Sequence, residues 1–100
     1  MAGEIDYYIS AVRYTQDRSE IASLKVHKNK ESDFNNPFAS SKDDVIKSIE
    51  SGIVFYTMFK DNGKWNSGAK VEVISVYGKK YLRTDRNNTP QDNLGALPEF

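Results

Sequence analysis

The sequence predicts an α+β domain. The expected architecture is an antiparallel sheet of about five strands in the order ββαβββ, with one helix packed on a face and an ordered C-terminal tail. Three observations carry this reading. Residues 69–84 read as a β-hairpin: Val71 and Val73 alternate with polar and apolar neighbours, Tyr77-Gly78-Lys79-Lys80 supplies a turn, and 81–84 return. Residues 53–60 are a near-continuous apolar run, followed by Asn62-Gly63, a strong short hairpin signal. Residues 40–52 carry the one convincing helical periodicity.

Taken in order, residues 5–15 read as the first strand. Strict alternation puts Ile5, Tyr7, Ile9 and Ala11 on one face and Tyr8, Ser10, Val12 and Tyr14 on the other. Apolar groups on both faces imply a strand covered on both sides. Residues 16–20 are polar and turn-like. Residues 21–27 form the second strand, with Ala22, Leu24 and Val26 facing in and Ser23, Lys25 and His27 facing out. The short connection makes these two strands an antiparallel hairpin. Residues 28–40 read as a loop, mobile over 28–37, with at least one of Phe34 and Phe38 tucked onto the core.

The helix begins at a capping-box-like pair, Ser41 with Asp44, and Asp43 and Asp44 suit the positive end of its dipole. Val45, Ile46 and Ile49 form the apolar stripe, and Gly52 is a natural residue just past the end. After the Asn62-Gly63 turn, Asn66-Ser67-Gly68 breaks the strand pattern and suggests a bulge. In the tail, Thr89-Pro90-Gln91-Asp92 has the form of a helix start, with an N-cap, a proline at N1 and an acid at N3. Leu94, Leu97 and Phe100 anchor residues 86–100 as a docked tail. The expected core comprises Ile9, Val12, Leu24, Val26, Val45, Ile49, Ile53, Phe55, Val73, Val76 and Leu82. All 100 residues form one domain, flexible only over 1–4 and in the loop.

Composition excludes several function classes. The absence of cysteine removes disulfides, thiol catalysis and thiolate-bound zinc, and favours a reducing cytosol. The N-terminus lacks the basic and apolar regions of a secretory signal, and no apolar run is long enough to span a membrane. The sequon at Asn87 is therefore read as chance. Net charge is zero, but 60–86 carries seven basic residues (Lys60, Lys64, Lys70, Lys79, Lys80, Arg83, Arg86) against three acidic ones (Asp61, Glu72, Asp85). The hairpin region is locally cationic in a neutral chain.

Catalytic and metal chemistries find little support. His27 is the sole imidazole and reads as a solvated residue on an exposed strand face. No nucleophile elbow, triad spacing or phosphate-binding glycine pattern occurs. The run from Asp85 begins like a calcium loop, but Pro90 stands where glycine is needed and Ala96 where glutamate is needed. No cofactor, metal or catalytic residue is expected.

The chain does resemble a known family. The resemblance is carried by Tyr7-Tyr8-Ile9-Ser10-Ala11-Val12-Arg13-Tyr14, by Asp44-Val45-Ile46 with Ile49-Glu50-Ser51-Gly52, and by Phe55-Tyr56-Thr57. Gly63-Lys64-Trp65, Gly68-Ala69 and Lys80-Tyr81-Leu82-Arg83-Thr84-Asp85 continue it. The closing Asn88-Thr89-Pro90, Asp92-Asn93-Leu94-Gly95 and Leu97-Pro98-Glu99-Phe100 are its most specific part. Together they resemble the bacterial family catalogued as domain of unknown function 3892. The resemblance implies a stand-alone cytoplasmic protein of a prokaryote or phage. It implies no activity and transfers no functional residue.

By elimination, the sequence points to a non-catalytic interaction module that binds a protein partner. Candidate contacts are Lys64, Trp65, Lys70, Tyr77, Lys79, Lys80, Tyr81 and Arg83, with Trp65 the best single anchor. The alternative is a nucleic-acid-binding accessory protein that stacks bases on Tyr77 and Tyr81 beside the lysines of the hairpin region 64–86. A phage-type inhibitor and a small-molecule-binding domain are further alternatives; the latter needs a pocket containing His27 or Lys64.

Overall fold

The structure, a computed structural model, describes residues 5–29, 36–84, 92, 94 and 97–100. Its elements are β1 (Tyr7–Tyr14), β2 (Ile21–Lys28), β3 (Phe38–Ser41), α1 (Lys42–Glu50), β4 (Phe55–Asp61), β5 (Lys64–Lys70), β6 (Glu72–Val76) and β7 (Lys79–Arg83). The five strands β3-β2-β1-β4-β5 form one sheet in that order, and β6 and β7 form a separate two-stranded sheet.

The α+β class and the single helix stand, but the sheet is mixed rather than purely antiparallel. β1 and β4 pair in parallel, with Tyr7 opposite Phe55 and Ile9 opposite Thr57. The reason is connectivity. A tight turn forces antiparallel pairing, whereas β1 reaches β4 only through β2, β3 and α1, so the chain can re-enter in its original direction. β3 is an additional strand, formed from the end of the expected loop; Phe38 to Ser41 pair with β2 and lead directly into the helix. Phe38 remains half-exposed and meets Tyr7 edge-on, while residues 30–35, with Phe34, lie outside the described residues.

The hairpin of 69–84 also departs from expectation, because it does not extend the main sheet. β5 ends at Lys70, and Val71 turns inward, buried, its N–H donating to the Phe55 carbonyl at 2.9 Å. That contact takes the chain off the sheet edge and packs β6 near α1. Val71, Leu82, Val45 and Ile46 then share one core with Ile9, Val12, Leu24 and Val26. Val73, Ile49 and Ile53 pack at its margin, whereas Val76 lies outside it.

Two bulges reconcile the first strands with this core. The partners step from Ile9–Val26 to Ala11–Lys25, so Ser10 is an extra residue in β1. Alternation shifts by one, and Ile9 and Val12 both face the helix instead of opposite sides. A second shift, from Arg13–Ser23 to Tyr14–Ile21, brings Ile21 into the core in place of the expected Ala22, which is only half-buried.

Local chemistry sets the remaining boundaries. The Ser41 hydroxyl accepts from the Asp44 N–H at 3.2 Å and caps α1. At the other end Gly52 N–H donates to Ile49 and Ile53 N–H to Ser48, a Schellman closure that needs the left-handed φ of Gly52, 102°. Asn62-Gly63 and Tyr77-Gly78 both have positive φ at both positions, as two-residue type I′ hairpin turns do. The expected bulge at Gly68 is present. Pairing shifts between Tyr56–Lys70 and Met58–Ser67, and a Cβ on Gly68 would collide with Thr57 Oγ1.

Candidate functional site

The eight expected contact residues separate into different environments. Lys64 and Lys70 are exposed at the two ends of edge strand β5. On the β6–β7 hairpin, Lys79 pairs with Glu20 at 2.9 Å and Lys80 with Glu50 at 2.7 Å. The Glu20 carboxyl is held below the usual carboxylate range, chiefly by its hydrogen bond from Lys79 and also by the charge of Lys42. Tyr81 and Arg83 are buried. Lys79 and Lys80 are thus neutralised by acids from elsewhere in the chain, a pairing that a count along the sequence does not reveal.

Tyr77 stands apart. Its side chain is fully exposed at the tip of the hairpin, and its φ is 52°. Three non-glycine residues among those described adopt positive φ. Asn62 is of a type that tolerates it. Arg18 is fastened by a bidentate pair with Glu99, both bonds 2.8 Å, and lies over the Tyr14 ring at 4.9 Å. Tyr77 has neither excuse: it is bulky, unsuited to this backbone region, and its side chain makes no hydrogen bond or ring contact among the described residues.

Trp65 lies against His27, with ring centroids 5.7 Å apart, and is 39% exposed. His27 is therefore not the solvated residue expected. It is 5% exposed and shares a 2.7 Å hydrogen bond between its Nε2 and the Ser10 hydroxyl. The cause is a covered second sheet face. β2 and β5 lie three strand spacings apart, about 14 Å in a flat sheet, yet the indole reaches back over His27. Pairing of β1 with β4 stops at Thr57, and the tail takes the vacated edge. Val12 N–H donates to Pro98 and Phe100 N–H to Val12, at 2.9 and 3.1 Å.

A densely connected buried carboxylate is not legible as such in the sequence. Asp92 was expected as an acid in a helical turn; Thr89, Pro90 and Gln91 lie outside the described residues, and Asp92 itself is buried in irregular backbone. Its Oδ1 accepts from Leu82 N–H, and its Oδ2 accepts from Ile21 N–H and from the Lys42 ammonium, each at 2.8 Å. Lys42 is buried too, 3.6 Å from Glu20 and 5.3 Å from the Tyr81 ring centroid. This cluster ties tail, β2, α1 and β7 together. It is saturated by its own members and so reads as structural.

Among the described residues, no group of three or more His, Asp or Glu side chains could hold a metal ion, and no helix is long and apolar enough to cross a membrane. The calcium-like run from Asp85 lies largely outside the described residues. Comparison with curated proteins and with solved structures finds no match. A family model described as protein of unknown function (DUF3892) matches residues 8–98. That match spans most of the chain, and with it the motifs running from the first strand into the tail: the protein belongs to the DUF3892 family.

Proposed function

We propose that the protein is a non-catalytic interaction module that engages a protein partner through the tip of the β6–β7 hairpin, with Tyr77 as the inserted side chain. The observation that supports this reading is a local rule broken without compensation inside the fold. A left-handed conformation costs a non-glycine L-residue roughly 1–2 kcal/mol, and Asn or Gly would fit the turn better. Residues that violate local preference with no internal contact are those expected to serve a surface role. Tyrosine is also among the side chains that most often dominate binding interfaces. The cytoplasmic, prokaryotic or phage setting is part of this proposal and rests on the cysteine-free composition and the family resemblance.

Protein is favoured over nucleic acid because the hairpin's charges are already committed. Lys79 and Lys80 face carboxylates, and Arg83 and Tyr81 are buried. A photo-crosslinking residue at position 77, used in extracts of the source cells, tests the reading. The expected result is one protein adduct, suppressed by excess wild-type protein but not by Tyr77→Asn, and absent when the crosslinker is at Lys64. Equal suppression by Tyr77→Asn overturns the proposal, as does an adduct with nucleic acid that fades steeply with salt.

A further inference from the structure

Where β4 parts from β1 beyond Thr57, a cleft of about 430 Å³ opens, bordered by the tail. Phe59, Trp65 and Phe100 give it aromatic walls, Lys25 and Lys60 rather than the expected His27 or Lys64 bring the polar chemistry, and Ser10 lines it. Its one carboxylate side chain, Glu99, is already bound bidentately by Arg18.

The two lysines here lack, among the described residues, the close carboxylates that three other lysines of the fold have. Lys42, Lys79 and Lys80 each lie within 4 Å of a carboxylate. Lys25 is half-buried and has no carboxylate partner among the described residues. The Lys60 ammonium, on an exposed side chain, lies 5.3 Å from the Trp65 ring centroid, and no carboxylate lies within 4 Å of it among the described residues. A half-buried cation such as Lys25 is unfavourable without a counter-ion, and an entering anion would relieve it, with the exposed Lys60 closing on that anion from the rim. Flat aromatic walls favour a ring as the apolar part of that anion. The volume lies within the range of small-ligand sites, roughly 300–1,000 Å³.

We propose that this cleft binds a small planar aromatic carboxylate, its ring against Trp65 and Phe59 and its carboxylate on Lys25 and Lys60. Ser10 adds specificity. When His27 carries its proton on Nε2 and donates it to Ser10 Oγ, the serine hydroxyl is left free to donate to the ligand. The site is separate from the Tyr77 tip and does not depend on that reading.

The test is a titration of the full chain with 2-naphthoate and with uncharged 2-naphthamide, followed by amide and Trp65 indole resonances. Saturable naphthoate shifts should centre on Ser10, Lys25, Phe59 and Trp65. The acid should bind about tenfold more tightly than the amide, equivalent to about 1.4 kcal/mol. Lys25→Gln with Lys60→Gln, checked for unchanged folding by circular dichroism, should abolish that preference, and Tyr77→Asn should leave it intact. Equal affinity for acid and amide, shifts centred elsewhere, or no saturable binding at millimolar naphthoate overturns the proposal.

Discussion

Removing the Asp92 carboxylate should be among the most damaging single changes in the tail. Asp92→Ala leaves the backbone N–H groups of Ile21 and Leu82 without their acceptor and leaves the Lys42 ammonium buried. Breaking a buried ion pair from one side typically costs about 3–5 kcal/mol, and a stranded buried N–H costs about 1–3 kcal/mol. These terms overlap, since the cavity admits water and Glu20 stands 3.6 Å from Lys42 as a partial substitute. A loss of about 3–5 kcal/mol is therefore expected, a large share of the roughly 5–15 kcal/mol that holds a typical domain together. For a domain of this length it corresponds to a fall in Tm of roughly 12–30 °C. Lys42→Met also breaks the pair from one side and should fall at the low end of that range, about 3 kcal/mol, because Asp92 keeps both backbone donors. Urea denaturation followed by Trp65 fluorescence and by circular dichroism gives both values, and the double variant gives their coupling. An Asp92→Ala protein within 1 kcal/mol of wild type, with no coupling to Lys42→Met, would refute the assignment of Asp92 as the clasp of the tail.

Other outcomes follow from single residues. Tyr77→Asn should raise stability by about 0.5–1 kcal/mol through relief of its backbone, measurable as a higher urea midpoint; no gain would remove the strain on which the hairpin-tip reading rests. Gly68→Ala should destabilise by about 1–3 kcal/mol, since the new methyl meets Thr57 Oγ1 and the Thr57 carbonyl, and the loss should shrink when Thr57→Ala is added. Gly52→Ala should cost about 1 kcal/mol although nothing surrounds the site, because the penalty is purely conformational. Asp17 is held down to about 2, first by the Ser19 hydroxyl and N–H and then by the Thr15 hydroxyl. Its depressed value means its stabilising effect is complete above the ordinary carboxylate range and fades as pH falls towards 2. Carboxyl-carbon NMR should show Asp17 titrating upward in Ser19→Ala, and an unmoved midpoint would contradict the assignment.

The elements legible in the sequence are those specified by neighbours. The Ser41 cap, the Gly52 stop and the Asn62-Gly63 turn depend on residues within one turn, and each forms as expected. The clash that requires Gly68 lies across the hairpin, yet the broken alternation around Asn66 already pointed to a bulge. What was not legible depends on residues distant in the chain. A one-residue bulge at Ser10 leaves no mark in composition, yet it decides whether Val12 faces the core. His27 looked exposed because nothing near it in sequence predicts that Trp65 covers it. Lys79 and Lys80 looked free because Glu20 and Glu50 are supplied by other elements. Among the site residues, Tyr77 was named for its type; its backbone conformation is what singles it out.

The tail's contacts also constrain when the fold can form. Ile21 meets Asp92 across 71 residues, Arg18 meets Glu99 across 81 and Arg13 meets Phe100 across 87. Such contacts raise contact order, and the entropy of closing these loops is lost before the contacts form. The β4–β5 and β6–β7 hairpins can close locally, but Lys42 can enter the interior only once Asp92 is there to receive it. During synthesis the helix must therefore wait, its lysine still in water, until Asp92 has left the ribosome. Folding should accordingly be late and cooperative, and a chain stopped before Asp92 should remain a substrate for chaperones and proteases rather than a smaller version of the same domain.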